Sequence, residues 1–113
     1  MAIPERDIRR IEEWCLEHSP EELRQRTYVT CTVSRLLVTI SLWNLCPGRS
    51  GEDHDWIEET FARLRYTASR GEWSIYRMNR NLRWRYYDLF MPSPDINAAL
   101  RCIDRDETFA FWG

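Results

Sequence analysis

The chain contains no lysine. All 16 of its basic residues are arginine, 18 acids outnumber them, and the formal net charge is −2 at pH 7. That balance excludes a generally basic protein that coats nucleic acid by charge alone. Long apolar runs are also missing. The longest, Leu36 to Leu45, is broken by Thr39, Ser41 and Asn44, and it falls short of the roughly 18–20 residues that span a bilayer. The opening stretch from Met1 to Asp7 carries Glu5, Arg6 and Asp7, which predicts no secretory signal, no membrane association and a cytoplasmic location.

Paired cysteines are absent too. The four stand at 15, 31, 46 and 102, none of them in a Cys-x-x-Cys motif. Cys15 and His18 share a helix face, and His54 lies in a polar loop near Cys46. Structural zinc sites, however, show paired ligands at short spacing. The cysteines are expected to be ordinary reduced residues, mostly buried, and no metal or cofactor is expected.

Catalytic signatures are equally scarce. There is no Gly-rich phosphate loop, no Gly-x-Ser-x-Gly and no His-Glu-x-x-His. His18 flanks the apolar side of a helix end and reads as structural or capping. His54, between Asp53 and Asp55, resembles an acid–base or metal cluster on paper, but acidic loops are more often simply solvated. No residue set supplies nucleophile, base and oxyanion donor, so the expectation is a protein that is not an enzyme.

What is present points to one folded domain spanning residues 1–113. Hydrophobic residues make up 43% and aromatics 13%, six of them tryptophan, enough for one core and too much for disorder. Pro4 to His18 reads as an amphipathic helix, with Ile8, Ile11, Trp14 and Cys15 on one side. Thr27 to Ser34 switches to period two, and Leu36 to Trp43 reads as a central second strand joined to it by a hairpin at Ser34-Arg35. Cys46 to Asp55 reads as a loop, and Trp56 to Thr60 is ambiguous between helix and strand. Ala62 to Thr67, Glu72 to Met78 and Leu82 to Leu89 alternate as a three-stranded meander, with turns at Ser69-Arg70-Gly71 and Asn79-Arg80-Asn81. Ser93 is suited to cap a second helix, with Pro94 in its first turn and Ile96, Ala99, Leu100 and Ile103 as its apolar stripe. The closing Phe109-Ala-Phe-Trp-Gly113 is expected to dock on the core or extend the sheet. The predicted fold is α+β: an N-terminal helix, a five-stranded antiparallel sheet made of hairpin plus meander, a C-terminal helix and an aromatic tail. Both helices would cover one face of the sheet, giving a two-layer sandwich.

The charge is unevenly spread. Residues 61–90 hold seven arginines against two acids, a local +5 between acidic flanks. Arg63 and Arg65 share a face of their strand, and so do Arg83 and Arg85. If Leu64, Tyr66 and Trp84 face the core, the four arginines point outward together, with Tyr87 on the same side and Tyr76 on the strand between. Arginine forks beside tyrosines can hold phosphates and stack on bases, which makes Arg63, Arg65, Arg83, Arg85, Tyr76 and Tyr87 the candidate anion-binding residues. The competing reading is a solvated sheet face, or one neutralised internally by Glu58, Glu59 or Asp88.

Three blocks carry a family likeness. They are Pro4-Glu-Arg-Asp-Ile-Arg-Arg-Ile-Glu-Glu-Trp-Cys15; Arg63-Leu-Arg-Tyr-Thr67 with Gly71-Glu-Trp-Ser-Ile-Tyr76 and Arg80-Asn-Leu-Arg-Trp84; and Pro92-Ser-Pro-Asp95 with Ile103-Asp104 and Phe111-Trp-Gly113. Over nearly its whole length the chain resembles a family of small bacterial proteins catalogued as a domain of unknown function, number three-zero-two-four. The resemblance implies a stand-alone bacterial protein and no assigned activity, so it supplies no catalytic residues. The likeness is weakest from Trp43 to Thr60. The functional expectation is a binding or accessory domain whose arginine-rich sheet face meets an anionic ligand or nucleic acid. The alternatives are a protein-interaction module or homodimer formed through exposed aromatics, and a small enzyme or metal site near His54.

Overall fold

The computed structural model describes residues 2–22, 26–47, 54–107 and 111–112. Helix α1 (Glu5–Glu17) is followed by strands β1 (Thr27–Ser34), β2 (Leu37–Pro47), β3 (His54–Thr67), β4 (Glu72–Met78) and β5 (Trp84–Tyr86), then helix α2 (Ile96–Arg105). The strands form one antiparallel sheet in the order β1-β2-β3-β4-β5, a continuous meander. Both helices lie on the same face of this sheet, so the fold is the expected α+β sandwich of two layers.

The core explains why. The apolar stripe of α1 buries Ile11 and Trp14, and that of α2 buries Ile96, Ala99, Leu100 and Ile103. They meet Val29, Val38, Ile40, Ala62, Leu64, Trp73 and Ile75 from the sheet. Burying each large apolar side chain contributes about 1.5–3 kcal/mol. The polar groups in this layer are matched. The Trp73 indole Nε1 donates to the buried Asp7 carboxylate at 2.9 Å, tying the first turn of α1 to β4. Asp7 also sits at the positive end of the helix dipole.

Sequence reading located most elements, and the structure corrects several boundaries. The stretch Trp56 to Thr60 is strand, and β2 and β3 run to Pro47 and from His54, so both ends of the expected loop from Cys46 to Asp55 are strand, while its positions 48–53 lie outside the described residues. The β1–β2 turn is Arg35-Leu36, with Arg35 at φ 56°. In the β4–β5 turn the left-handed residue is Leu82, at φ 57°, not an asparagine. Asn79 serves that turn through its side chain, whose Oδ1 accepts from the N–H groups of Asn81 and Arg83.

Strand β5 is three residues long, not eight. After Tyr86 the chain turns inward, burying Tyr87 and Phe90, and the place beside β4 is taken by Ser93, which exchanges two backbone hydrogen bonds with Trp73. Ser93 is therefore not the cap of α2. The cap is Asp95, whose side chain accepts from the Asn97 N–H at 2.9 Å, and Pro94 precedes the helix.

The aromatic tail docks on the core. Asp106 ends α2 in the left-handed conformation (φ 44°), and its carboxylate accepts from the N–H groups of Phe111 and Trp112. Phe111 is buried against Tyr87, and Trp112 packs on Phe61 while its indole donates to the Ile103 carbonyl. The remaining tail positions 109, 110 and 113 lie outside the described residues.

Candidate functional site

Among the described residues, no helix covers the second face of the sheet. Its residues are set by the register. From β1 come Tyr28, Thr30 and Thr32, from β2 Leu37, Thr39, Ser41 and Trp43, and from β3 Trp56, Glu58, Thr60, Arg63 and Arg65. Ser74, Tyr76, Met78, Trp84 and Tyr86 continue it from β4 and β5. A bulge at Phe61 places this set. Ile40 pairs with Ala62 but Ser41 pairs with Thr60, so Phe61 is the extra residue. Phe61 and Ala62 both turn to the covered face, and everything before them changes phase.

Side-chain hydrogen bonds cross the middle of this open face. Ser41 and Thr60 hydroxyls bond at 3.0 Å, the Trp43 indole donates to Thr30 Oγ1 at 3.0 Å, and Arg63 Nε donates to Thr39 Oγ1 at 3.3 Å. Toward the β2–β3 hairpin lies an aromatic cluster. Tyr28 stacks on Trp43, with ring centres 5.8 Å apart, and Trp56 meets Tyr28 edge-on at 5.0 Å.

At the other end a groove of about 450 Å³ opens between the β1–β2 turn and β3–β5. Ser34, Arg35, Leu36, Leu37, Arg63, Arg65, Tyr76 and Trp84 line it. The Arg63 guanidinium lies 4.4 Å from the Trp84 ring centre, and Tyr76 meets Tyr86 edge-on at 5.5 Å. The cation over the indole face orients the arginine and leaves its fork open to a ligand.

The expected candidates are therefore divided. Arg63, Arg65 and Tyr76 come together in the groove. Arg85 does not join them, because it pairs with Arg77 on the opposite side of the sheet. Arg83 sits in the β4–β5 turn, one residue before Trp84. Tyr87 is buried on the covered side against Phe111. The expectation of one outward face bearing all four arginines and Tyr87 is corrected on this point: it required Trp84 to face the core, whereas Trp84 stands beside Arg63. Sequence reading also missed Arg35 and Trp84 as groove residues. Their signal lay in the turns, since Arg35 is a left-handed hairpin residue and the Asn79 turn sets the phase of β5.

Among the described residues, none of Arg35, Arg63, Arg65, Arg83 or Arg85 forms an ion pair. The pairs that do occur involve Arg6, Arg9, Arg10 and Arg101, on or beside the helices, and His18 with Asp104. Glu58, Glu59 and Asp88 form no ion pair with these arginines.

The chain matches the family model of a domain of unknown function (DUF3024) over residues 2–113. It belongs to this family. No curated protein and no solved structure matches it. Family membership accordingly brings no assigned chemistry to the groove, and the reading of the site rests on its geometry.

The histidines divide in the same way. His18 caps α1, its Nδ1 facing the Trp14 carbonyl at 2.8 Å and its Nε2 facing Asp104 Oδ1 at 2.7 Å. Its ring stacks on Trp112 at 5.7 Å, so the histidine is committed to joining the two helices and the tail. Asp104 also accepts from the Trp14 indole. The backbone of His54 opens β3, and its side chain lies outside the described ones. No cluster of three or more metal-ligating side chains occurs among the described residues. No helix among them is long and apolar enough to cross a membrane.

Proposed function

We propose that the protein binds a polyanion, single-stranded nucleic acid, on the open face of its sheet, with the groove around Arg63 and Trp84 as the main contact. The observation that carries this reading is the grouping of three arginines that have no acid partner among the described residues, Arg35, Arg63 and Arg65, beside the aromatic side chains Tyr76 and Trp84. Phosphates would sit in the arginine forks, and a base would stack on Trp84 or Tyr76. Single-stranded nucleic acid exposes both groups at once, whereas a duplex hides its base faces. On this reading the protein is a cytoplasmic bacterial binding or accessory domain without catalytic activity.

Fluorescence anisotropy with a short labelled oligonucleotide tests it. Affinity should fall as salt rises, by about 0.7 in log–log slope per phosphate contact. Replacing Arg63 and Arg65 with Ser should flatten that slope and weaken binding at least tenfold. Trp84→Ala should cost about 1–3 kcal/mol of binding, the worth of one stacked base. Equal affinity of wild type and the arginine variant at every salt concentration would overturn the reading.

A second reading is favoured by the far end of the same face. Trp56 is 40% exposed and Ile57 on the opposite side of that strand is 49% exposed. Exposed apolar side chains on both sides of one strand segment suit a protein partner or a second copy of this chain. Sedimentation at high protein concentration distinguishes the readings: a dimer dispersed by Trp56→Ser supports the second, and a monomer removes its homodimer form.

A further inference from the structure

We propose that Cys15 and Cys31 form a redox-active thiol pair, which a peroxide converts to a disulfide joining the end of α1 to β1. Neither the family nor the open-face site accounts for these residues. Cys15 stands in the last turn of α1, and its thiol donates to the Val29 carbonyl of β1 at 2.9 Å. Cys31 lies two residues further along β1, on the same face as Val29, which sets its thiol beside that of Cys15. Both are half-buried and free, packed at the border of the core. Cys102 sits apart, on α2, where it lines a different pocket with Arg101 and Arg105.

The surroundings divide the labour between the two thiols. The neighbouring Cys31 thiol is the main influence that lowers Cys15 from 9.0 to about 7, against the opposing effect of burial and with a smaller favourable contribution from His18. The same neighbour effect, together with burial, pushes Cys31 upward. Cys15 is thus the attacking group and Cys31 the resolving one. In the first step the Cys15 thiolate attacks one peroxide oxygen and the O–O bond breaks. The sulfur is oxidised to a sulfenic acid, and the leaving hydroxide takes up a proton to become water. In the second, Cys31 gives up its proton and attacks the Cys15 sulfur, the S–O bond breaks, and a second water leaves. Two thiols and one hydrogen peroxide become a disulfide and two waters.

The test uses the full chain with hydrogen peroxide under native conditions, followed by thiol counting in denaturant and peptide mapping without reductant. The expected result is loss of two of the four thiols and a linked peptide containing Cys15 and Cys31, reversed by dithiothreitol. Cys31→Ser should leave a sulfenic acid at Cys15 that dimedone traps, and dimedone added to the wild type during oxidation should mark the same residue. A disulfide to Cys46 or Cys102, dimedone on another cysteine, or four intact thiols at peroxide levels that oxidise free cysteine would each overturn the proposal.

Discussion

The two faces of the sheet solve different problems with the same strands. On the covered face, Val38, Ile40, Leu64, Trp73 and Ile75 are fully enclosed, and the buried carboxylate of Asp7 is bonded to the Trp73 indole. On the open face the same strands present threonine, serine, tyrosine, tryptophan and arginine, linked by hydroxyl hydrogen bonds and ring contacts. The covered face is held by exclusion of water, which makes it sensitive to lost volume. The open face is held by pairwise contacts of modest worth, which leaves its arginines available for another molecule.

Substitutions should separate the faces. The largest effect is expected from Trp73→Ala, which empties an enclosed site and leaves Asp7 without its donor. It should lower stability by about 3–5 kcal/mol in urea denaturation. Asp106→Ala should come next, at about 1–3 kcal/mol, because two backbone N–H groups lose their acceptor, and the emission of Trp112 should shift red as the tail loosens. On the open face, Thr60→Val removes one hydroxyl bond to Ser41 and should cost about 0.5–1.5 kcal/mol. Arg63→Ser with Arg65→Ser should cost as little, about 0.5–1.5 kcal/mol, nearly all of it from the lost Arg63 bond to Thr39 and its contact with Trp84, while weakening salt-dependent binding at least tenfold. A stability loss from the arginine pair as large as that from Trp73→Ala would break the distinction between the faces.

A pH series examines the seam between helix and sheet. Because Cys15 is lowered from 9.0 to about 7, its thiolate grows in as pH rises through about 7. Its alkylation by iodoacetamide in the native chain should share that midpoint. In urea the same residue should react with a midpoint near its ordinary value of 9.0. Identical profiles in both states would show that Cys31 does not hold the thiolate.

The covered face was largely legible in the sequence because its periods are long and regular. Ile11 and Trp14, Ile96 to Ile103, and Val29 to Val33 each repeat at the spacing of their element, and those elements formed, with α2 starting two residues later than expected. The open face was legible only in pieces. The arginine-rich meander was visible, and Arg63, Arg65 and Tyr76 do meet. The position of Trp84 was not visible, because it depends on the β4–β5 turn, where Leu82 adopts the left-handed conformation that Asn79 and Asn81 advertise. Nor was the strand character of Trp56 to Thr60, since the bulge at Phe61 interrupts the alternation that identifies a strand. Local patterns report which residues face a core, whereas the alignment of neighbouring strands depends on turns and bulges.

That bulge also bears on how this chain tolerates insertions and deletions. Phe61 acts as a one-residue phase shifter between the groove end of β3 and its hairpin end. A deletion of one residue between Trp56 and Thr60 would leave Arg63 and Arg65 in place. It would rotate the residues upstream of the gap half a turn, sending Trp56 away from Tyr28 and toward the side of the helices. The aromatic cluster and the arginine groove are therefore separable modules on one strand, and a length change that leaves composition almost unaltered would dismantle one while sparing the other.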